Sequence, residues 1–351
     1  MTTNIAFVGF GGVGQALAEI LMERKESLLE SYGLDAKVVA VADMMKGSIY
    51  DPEGLDIEKL LEAVRKDGTV EAYTGGSNVI TGLSSIDTII QTNADVIVEV
   101  TFTDVKTGEP AITHCRTAFE HYKSVVTTNK GPVALAYREL AELAEQNGVF
   151  FGFEGTVMSG TPALRMPIET LAGNEITEIR GILNGTTNYI LTEMEKGQSY
   201  EGALSKAQKL GYAEADPTSD VEGYDARYKT AILSNYIMGV PLPHTEVECE
   251  GITKMSQEQV QAAIKQGKRW KLLATIKKEK GEVTASVKPE CIDASDPLAS
   301  VSGPTNAILY QCDLAGPILL TGAGAGLKET GFSLLIDLIH FQKTNKLAKI
   351  N

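Results

Sequence analysis

Residues 4–24, NIAFVGFGGVGQALAEILMER, decide the fold at the start of the chain. The run NIAFVGF is apolar and rich in β-branched character, which indicates a short buried strand. Directly after it, the spacing of Val13, Leu17 and Leu21 places apolar side chains on one face of a helix. The stretch therefore predicts a strand, a glycine-rich turn and a helix in that order.

The glycines of this turn match the GxGxxG pattern at Gly9, Gly11 and Gly14. Such glycines allow a tight turn, a close approach of the backbone to a pyrophosphate, and close packing of helix on strand. An ordinary strand-to-helix turn is the alternative. The predicted cofactor contacts are Gly9, Phe10, Gly11, Gly12, Val13 and Gly14.

The second strand is predicted at 37–42 and is followed by Asp43. An acidic residue at this point accepts a hydrogen bond from the ribose 2′-hydroxyl and favours NAD. Lys46 and Ser48 follow closely and are suited to a 2′-phosphate. The cofactor is therefore NAD or NADP, with NAD favoured if Asp43 points inward.

Two further buried strands are predicted, VIVEVT ending at Thr101 and SVVTTN ending just before Lys130. Ligands of a doubly wound sheet lie beyond the carboxyl ends of its strands, so Thr101 and Lys130 are candidate site residues. A solvated surface lysine is the alternative for Lys130. Together these segments predict an α/β fold with a Rossmann-type, doubly wound parallel sheet.

From Asn174 onward the pattern changes to alternating, half-buried strands with intervening helices, which predicts an α+β catalytic and dimerisation domain over 151–321. The dinucleotide-binding domain is assigned to 1–150 with 322–351. The sequence GAGAG at 322–326 precedes an apolar helix, so Gly324 and Gly326 are predicted cofactor contacts. A helix that only packs on the sheet is the alternative.

The stretch 211–229, GYAEADPTSDVEGYDARYK, concentrates charged groups in a predicted loop that runs into a helix near Asp225. Asp225 and Lys229 are four residues apart, and Lys229 has apolar neighbours along the helix. A partly desolvated lysine beside carboxylates is suited to proton transfer. An ordinary surface pair under an acidic loop is the equally weighted alternative. The carboxylates are Glu214, Asp216, Asp220, Glu222 and Asp225.

Composition excludes several classes of protein. The formal charge of −14 argues against a nucleic acid or an anionic membrane as the main partner. The chain has neither an apolar run long enough to span a membrane nor a signal peptide, which predicts a cytoplasmic protein. The four cysteines lack metal-site spacing and are interpreted as small buried residues. Glu154, ahead of a glycine- and serine-rich loop, is a weak cation signal.

These motifs together resemble homoserine dehydrogenase over nearly the whole chain. The resemblance is carried by GFGGVG, VVTTNKGP, LNGTTNYIL, the stretch 211–229 and GAGAG. It implies reversible hydride transfer between a nicotinamide and the carbonyl carbon of L-aspartate 4-semialdehyde, with L-homoserine as the alcohol. This reaction lies on the route to threonine and methionine.

The resemblance also implies roles for individual residues. Lys229 would donate the proton to the aldehyde oxygen, and Lys130 would polarise the substrate or relay the proton. Asp220 would orient the lysines. The remaining implied contacts are Glu214, Asp225, Gly185 and Thr186 for the substrate, and Glu154, Val157, Ser159 and Thr161 for a monovalent cation, usually sodium.

Members of this family are usually homodimers, and some carry a regulatory domain after the catalytic region or a kinase before it. This chain ends 25 residues after Gly326, so neither addition is expected. A related semialdehyde dehydrogenase is one alternative, and a non-enzymatic nucleotide sensor is another. A phosphorylating semialdehyde dehydrogenase would require a cysteine thiolate as its nucleophile. No cysteine lies between Cys115 and Cys249, and Cys115 lies in a predicted helix.

Overall fold

The computed structural model describes residues 2–76, 78–104, 106–279 and 281–348, with side chains described as far as Thr344. The strands in the described residues are β1 (Thr2–Val8), β2 (Asp35–Asp43), β3 (Gly47–Tyr50), β4 (Ile80–Thr81), β5 (Val96–Glu99), β6 (Ser124–Thr127), β7 (Phe151–Gly152), β8 (Ile176–Ile182), β9 (Glu248–Cys249), β10 (Lys268–Glu279), β11 (Glu282–Asp293), β12 (Thr305–Cys312) and β13 (Gly316–Ala323).

The α-helices connect these strands, and the longest closes the described chain. They are α1 (Gly12–Glu23), α2 (Lys25–Tyr32), α3 (Ile57–Asp67), α4 (Ser85–Gln91), α5 (Ala111–Glu120), α6 (Lys130–Leu135), α7 (Tyr137–Gln146), α8 (Arg165–Thr170), α9 (Gly185–Glu195), α10 (Tyr200–Lys209), α11 (Thr218–Val221), α12 (Tyr224–Leu233), α13 (Gln257–Lys265) and α14 (Leu327–Ala348). In the described residues no helix is both long and apolar enough to cross a membrane.

The first sheet has seven strands in the order β4-β3-β2-β1-β5-β6-β7. Strand β1 pairs in parallel with both β2 and β5, so the connection reverses direction across the sheet at β1. At one edge, β3 pairs antiparallel with both β2 and β4, and these are the only antiparallel pairs of this sheet within the described residues. This is the doubly wound, Rossmann-like arrangement that the first residues of the chain predict.

Both faces of this sheet are buried, as the nearly continuous apolar character of its strands requires. Successive side chains of a strand point to opposite faces. Ile5 and Phe7 accordingly belong to one apolar cluster, together with residues of α1 and α14. Ala6 and Val8 belong to another, with residues of α5 and α7.

The second sheet has six strands in the order β13-β12-β8-β10-β11-β9. Its longest pairing is the antiparallel hairpin of β10 and β11, which begins with Lys268 opposite Asp293. Strand β8 lies between β10 and β12, antiparallel to both. The helices α9 and α12 supply buried side chains for this α+β half of the chain.

The chain divides into two compact units, residues 1–156 with 326–351, and residues 157–325. The helix predicted directly after GAGAG is confirmed, because α14 begins at Leu327. The sequence did not indicate that Gly322 and Ala323 end strand β13. The predicted acidic loop is also partly helical, because α11 occupies Thr218–Val221.

Candidate active site

The glycine-rich turn of the first unit has the geometry expected of a dinucleotide-binding turn. Gly9 has a φ of +87°, and a Cβ there would lie 2.6 Å from the Val100 carbonyl oxygen, so only glycine fits. At Gly14 a Cβ would lie 3.2 Å from the Gly9 carbonyl oxygen, as expected for a helix packed close to its strand. Gly11 faces open space, where a ligand could approach the backbone. The turn therefore fits a pyrophosphate.

Asp43, at the end of β2, points inward towards this turn. Its Oδ2 accepts a hydrogen bond of 2.7 Å from the Phe10 amide, and its Oδ1 accepts bonds from the amides of Met45 and Lys46. Burial acts to raise the pKa of Asp43, but these backbone hydrogen bonds and the Lys46 ammonium outweigh it and lower the pKa. The carboxylate is therefore held ionised beside the turn.

Thr101 lies one residue beyond the Val100 that follows β5, and its hydroxyl donates a hydrogen bond to the Glu99 carboxylate. Glu99 is completely buried, and the Thr127 hydroxyl lies 3.2 Å from its Oε2. His114 Nδ1 is 3.3 Å from its Oε1. This network ties the ends of β5 and β6 together. Sequence reasoning missed Glu99 because it reads as part of a buried strand.

Lys130 is the first residue of α6, directly after the end of β6. Asn129 caps this helix, because its side chain accepts a hydrogen bond from the Gly131 amide. Its side-chain amide also lies 3.3 Å from the Thr101 carbonyl oxygen. The two predicted strand-end residues therefore belong to one hydrogen-bonded edge of the first sheet.

In the second unit, Lys229 is buried, with only 7% of its surface exposed. Its Nζ donates hydrogen bonds of 2.7 Å to Asp225 Oδ2 and 2.7 Å to the Leu183 carbonyl oxygen. Asp225 and Lys229 both lie on α12, where the i,i+4 spacing brings their side chains together. The alternative of a solvated surface pair is wrong, because the ion pair is almost fully withdrawn from water.

Asn184 joins this pair to a second carboxylate. Its Nδ2 donates hydrogen bonds of 2.7 Å to Asp220 Oδ1 and 3.0 Å to Asp225 Oδ2. Thr186 Oγ1 lies 3.1 Å from Asp220 Oδ2. Burial raises the pKa of Asp220, and the negative charge of Asp225 raises it further, against the hydrogen bonds from Asn184 and Thr186. The sequence analysis did not assign a role to Asn184, although it directly precedes the predicted site residues Gly185 and Thr186.

Three other carboxylates of the stretch 211–229 lie outside this cluster. Glu214 is exposed, and its carboxylate accepts no hydrogen bond from another described residue. Asp216 accepts hydrogen bonds from the amide and hydroxyl of Thr218, at the start of α11. Glu222 Oε1 accepts a 2.9 Å bond from the Thr253 hydroxyl. Asp216 and Glu222 thus hold local structure, and the substrate contact predicted for Glu214 remains a prediction.

Gly185 opens α9 in a tight environment. A Cβ at this position would lie 2.7 Å from the Pro304 carbonyl oxygen and 3.4 Å from Asn306 Oδ1. A Cβ at Gly324 would lie 2.3 Å from the Asn306 side chain. Asn306 is fully buried, and among the described residues its amide has no hydrogen-bond partner. Packing on Asn306 is thus sufficient reason for glycine at 324.

Gly326 has a φ of +138°, in the region that favours glycine, and precedes the first residue of α14. In the same unit, a Cβ at Gly12 would contact the Leu327 side chain at 2.8 Å. These two glycines therefore allow the N-termini of α1 and α14 to approach each other. The cofactor contacts predicted at Gly324 and Gly326 remain predictions.

The predicted cation ligands are described within their own units. Glu154 is buried in the first unit, and its amide donates a 3.0 Å hydrogen bond to Asp337 Oδ2. In the second unit Val157 and Ser159 are buried, and the φ of Ser159 is +52°. The Thr161 hydroxyl donates a 3.2 Å bond to the Ala323 carbonyl oxygen. The described residues contain no cluster of three or more His, Cys, Asp or Glu side chains suited to a metal.

The cysteines argue against a thiolate enzyme. Cys115 is buried in α5, where burial and the nearby negative charge of Glu99 raise the pKa of its thiol well above the usual range. Burial also raises the pKa of Cys249 and Cys312. Cys291 is exposed, so its interpretation as a buried residue is wrong.

Known proteins resemble this chain over nearly its whole length. The homoserine dehydrogenase family model matches residues 162–339, and a glutamate/leucine/phenylalanine/valine dehydrogenase model matches residues 2–103. An NAD(+)-dependent homoserine dehydrogenase of Pseudomonas canavaninivorans is 44% identical, over 97% of this chain and 96% of that protein. The homoserine dehydrogenase of Methanocaldococcus jannaschii is 43% identical, over 98% and 99%.

Solved structures resemble the chain as well. A homoserine dehydrogenase from Thiobacillus denitrificans superposes with a TM-score of 0.84 at 32% identity, covering 99% of this chain and 74% of that one. A hyperthermophilic archaeal homoserine dehydrogenase in complex with NADPH gives 0.83 at 30% identity, covering 98% of both. The chain belongs to the homoserine dehydrogenase family and is an NAD(P)-dependent oxidoreductase.

Proposed function

We propose that this chain interconverts L-aspartate 4-semialdehyde and L-homoserine, with Lys229 as the proton donor for reduction and the proton acceptor for oxidation. The observation that carries the assignment of Lys229 is its buried ammonium, 2.7 Å from both Asp225 Oδ2 and the Leu183 carbonyl oxygen. An ammonium fixed by two acceptors has a defined direction for its remaining N–H bond. Such fixed geometry is what general acid catalysis requires.

A nicotinamide cofactor held at the glycine-rich turn of Gly9, Gly11 and Gly14 would supply the hydride for reduction of the carbonyl carbon and would accept it in the reverse reaction. Lys229 transfers a proton from Nζ to the carbonyl oxygen as the alcohol forms, and takes that proton back in the reverse reaction. Asp225 orients the Lys229 ammonium by its ion pair. Lys130 polarises the substrate or relays the proton, a role that rests on its place at the carboxyl end of β6.

The substrate's amino-acid end is assigned to the start of α9 and the acidic stretch. The N-terminus of a helix attracts a carboxylate, which supports a contact with Gly185 and Thr186. Asp220 and Asp225 provide negative charge for the substrate ammonium and orient Lys229. Glu214 is exposed, so its contact with substrate rests on the family resemblance alone.

NAD is the proposed preferred cofactor. The ionised Asp43 carboxylate lies against the Phe10 amide, where it suits a ribose hydroxyl and repels a 2′-phosphate. Lys46 is 3.7 Å from Asp43 Oδ1, so its charge is directed at the carboxylate. The relative from P. canavaninivorans, which is named as NAD(+)-dependent, supports the same preference. The cofactor-binding residues remain those of the glycine turn, with Thr101, Lys130, Gly324 and Gly326.

A monovalent cation, probed first as sodium, is proposed at Glu154 and the carbonyl oxygens of Val157, Ser159 and Thr161. Two observations support the binding of a cation by these residues. Glu154 is a buried carboxylate, and Met158 and Ser159 both have positive φ, a strained backbone of the kind found at ligand clamps. The cation would stabilise the charge of Glu154 and hold this turn.

The assembly and location are proposals of the same kind. A homodimer is supported by β13, which ends its sheet and leaves one edge unpaired within the described residues. The proposed domains are dinucleotide-binding for 1–150 with 322–351 and catalytic for 151–321. The cytoplasm is the proposed location, and small molecules rather than nucleic acids or membranes are the proposed ligands.

The decisive experiment is a steady-state assay of homoserine-dependent reduction of NAD and of NADP, followed by absorbance of the reduced nicotinamide. Activity with L-homoserine is expected, together with a lower KM for NAD. Reduction with a different amino-acid alcohol but none with homoserine would assign the chain to a related semialdehyde.

A further inference from the structure

Asn184 has contacts that no role assigned so far explains. It is the N-cap of α9, where its Oδ1 accepts a 2.9 Å hydrogen bond from the Thr187 amide. Capping uses only the oxygen of the side chain. The NH2 group of the same side chain donates one hydrogen bond to Asp220 and another to Asp225. Asn184 itself is buried.

This NH2 group lies between two carboxylates that repel each other. An amide carries two N–H donors, and Asn184 directs one to each acid. Serine and aspartate also cap helices well, but neither can donate to both carboxylates. The need for a double donor thus selects asparagine at this N-cap.

The contact with Asp225 extends to the proposed proton donor. Asp225 Oδ2 accepts from Asn184 Nδ2 and also from Lys229 Nζ, at 3.0 and 2.7 Å. The carbonyl of Leu183, the residue before Asn184, is the second acceptor of Lys229. The 183–184 segment therefore contacts Lys229 in two ways: Leu183 accepts a hydrogen bond from its ammonium, and Asn184 holds the Asp225 carboxylate that accepts the other.

We infer that Asn184 is a positioning residue for this reaction, whose side-chain amide holds Asp220 and Asp225 as a pair of ionised carboxylates around Lys229. It acts through these groups and need not touch the substrate. The charged groups that face it are Asp220 from α11 and Asp225 and Lys229 from α12, and the first turn of α9 carries no acidic residue. The inference rests on the proposed function.

Two substitutions separate this role from capping. Asn184→Ser keeps a capping oxygen and removes the double donor. Asn184→Asp keeps the cap and the size, but removes both donors and adds a third negative charge. Because hydrogen bonds to an ionised carboxylate favour that form, both changes make Asp220 harder to ionise, and Asn184→Asp more so.

The test is the pH dependence of kcat/KM for L-aspartate 4-semialdehyde in the full-length protein, in the direction of reduction, where Lys229 is the proton donor and its own loss of a proton does not set the acidic limb. In Asn184→Ser the acidic limb is expected to move up by about one pH unit, the scale of one hydrogen bond. In Asn184→Asp it is expected to move further. Ser199→Ala removes the cap of α10 in the same unit, away from the cluster, and should leave the limb in place.

The inference would be overturned if the acidic limb of the kcat/KM profile lies at the same pH in Asn184→Ser as in the wild type, even if kcat falls. So would a smaller displacement for Asn184→Asp than for Asn184→Ser. Melting temperatures identify a variant that does not fold, in which case the other variant carries the comparison.

Failure of the proposed function is distinguishable from failure of this inference. A wild type without homoserine-dependent activity would reject the function. The ionisation of Asp220, followed by carbon-detected NMR of its labelled carboxyl group, would still test Asn184 directly. The Asp220 titration is expected at higher pH in Asn184→Ser, and an unchanged titration overturns the role of the amide.

Discussion

The Lys229 ammonium lies 2.7 Å from the Asp225 carboxylate, in an ion pair that is almost entirely withdrawn from water. Removing two charges from water is costly, and a buried pair is retained only where hydrogen bonds satisfy its remaining donors and acceptors. Leu183 and Asn184 provide those bonds. The pair therefore serves the orientation of Lys229 more than the stability of the fold.

Replacement of Lys229 by methionine is expected to lower kcat at least about 100-fold, because the proton donor is lost. Methionine keeps most of the apolar length of the side chain, which limits disturbance of α12. Steady-state turnover with homoserine and fluorescence titration with NADH measure the two effects separately. The Kd for NADH should change less than threefold, roughly within the variation of a surface substitution.

A matched control for Lys229 is Lys209, an exposed lysine at the end of α10 in the same unit. Lys209→Met changes the same functional group without removing a buried charge, so kcat should stay near that of the wild type. Turnover of Lys229→Met close to that of Lys209→Met would remove Lys229 from the mechanism.

Replacement of Asp43 by serine is expected to shift preference from NAD towards NADP. The substitution removes the negative charge that opposes a 2′-phosphate, while Lys46 remains beside the position. The ratio of kcat/KM for NADP to that for NAD should rise at least about tenfold, equivalent to about 1.4 kcal/mol. A wild type that already prefers NADP strongly would refute the assignment of Asp43.

Asp220→Asn should stabilise the protein at neutral pH while reducing its activity. The pKa of Asp220 is raised in the folded state, so the folded state binds a proton more tightly than the unfolded chain does. Its contribution to stability is full below the ordinary carboxylate pKa and is lost as pH rises through the raised value. Asparagine is uncharged, like protonated Asp220, at every pH. The variant should therefore become more stable than the wild type as pH rises from the ordinary aspartate pKa through the raised pKa of Asp220.

Thermal unfolding at several pH values checks this prediction. At pH 7 the Tm of Asp220→Asn is expected to lie above that of the wild type. The difference should vanish at pH values below the ordinary pKa of an aspartate, about 3.9. A variant that melts below the wild type at every pH would show that the lost acceptor outweighs the lost charge.

Much of the fold follows from local patterns. The structure has the strand, glycine turn and helix that residues 4–24 predict, and it has the predicted parallel pairing of β1, β5 and β6. The strand ends at Thr101 and Lys130 are placed within a few residues, because hydrophobic runs mark strands well and their limits poorly. The helix after GAGAG begins at Leu327 as predicted, but the strand that ends at Ala323 was not predicted, because glycines can end a strand as well as precede a helix.

The candidate site was only partly accessible from the sequence. Asp225 and Lys229 are one helical turn apart, so their pairing follows from the period of a helix alone. Glu214 lies in the same acidic stretch, but its side chain is exposed. Charge density along a chain does not distinguish a carboxylate that turns inward from one that faces water.

By itself, the sequence determined the nucleotide-binding turn, the two-part organisation and the pairing of Asp225 with Lys229, since each depends on residues close together in the chain. Only the tertiary structure decided that Lys229 is buried and that Asn184 joins Asp220 to Asp225. These contacts span 36 and 41 residues. They exist because α9 packs against α11, and α11 against α12, which sets which polar groups must satisfy one another away from water.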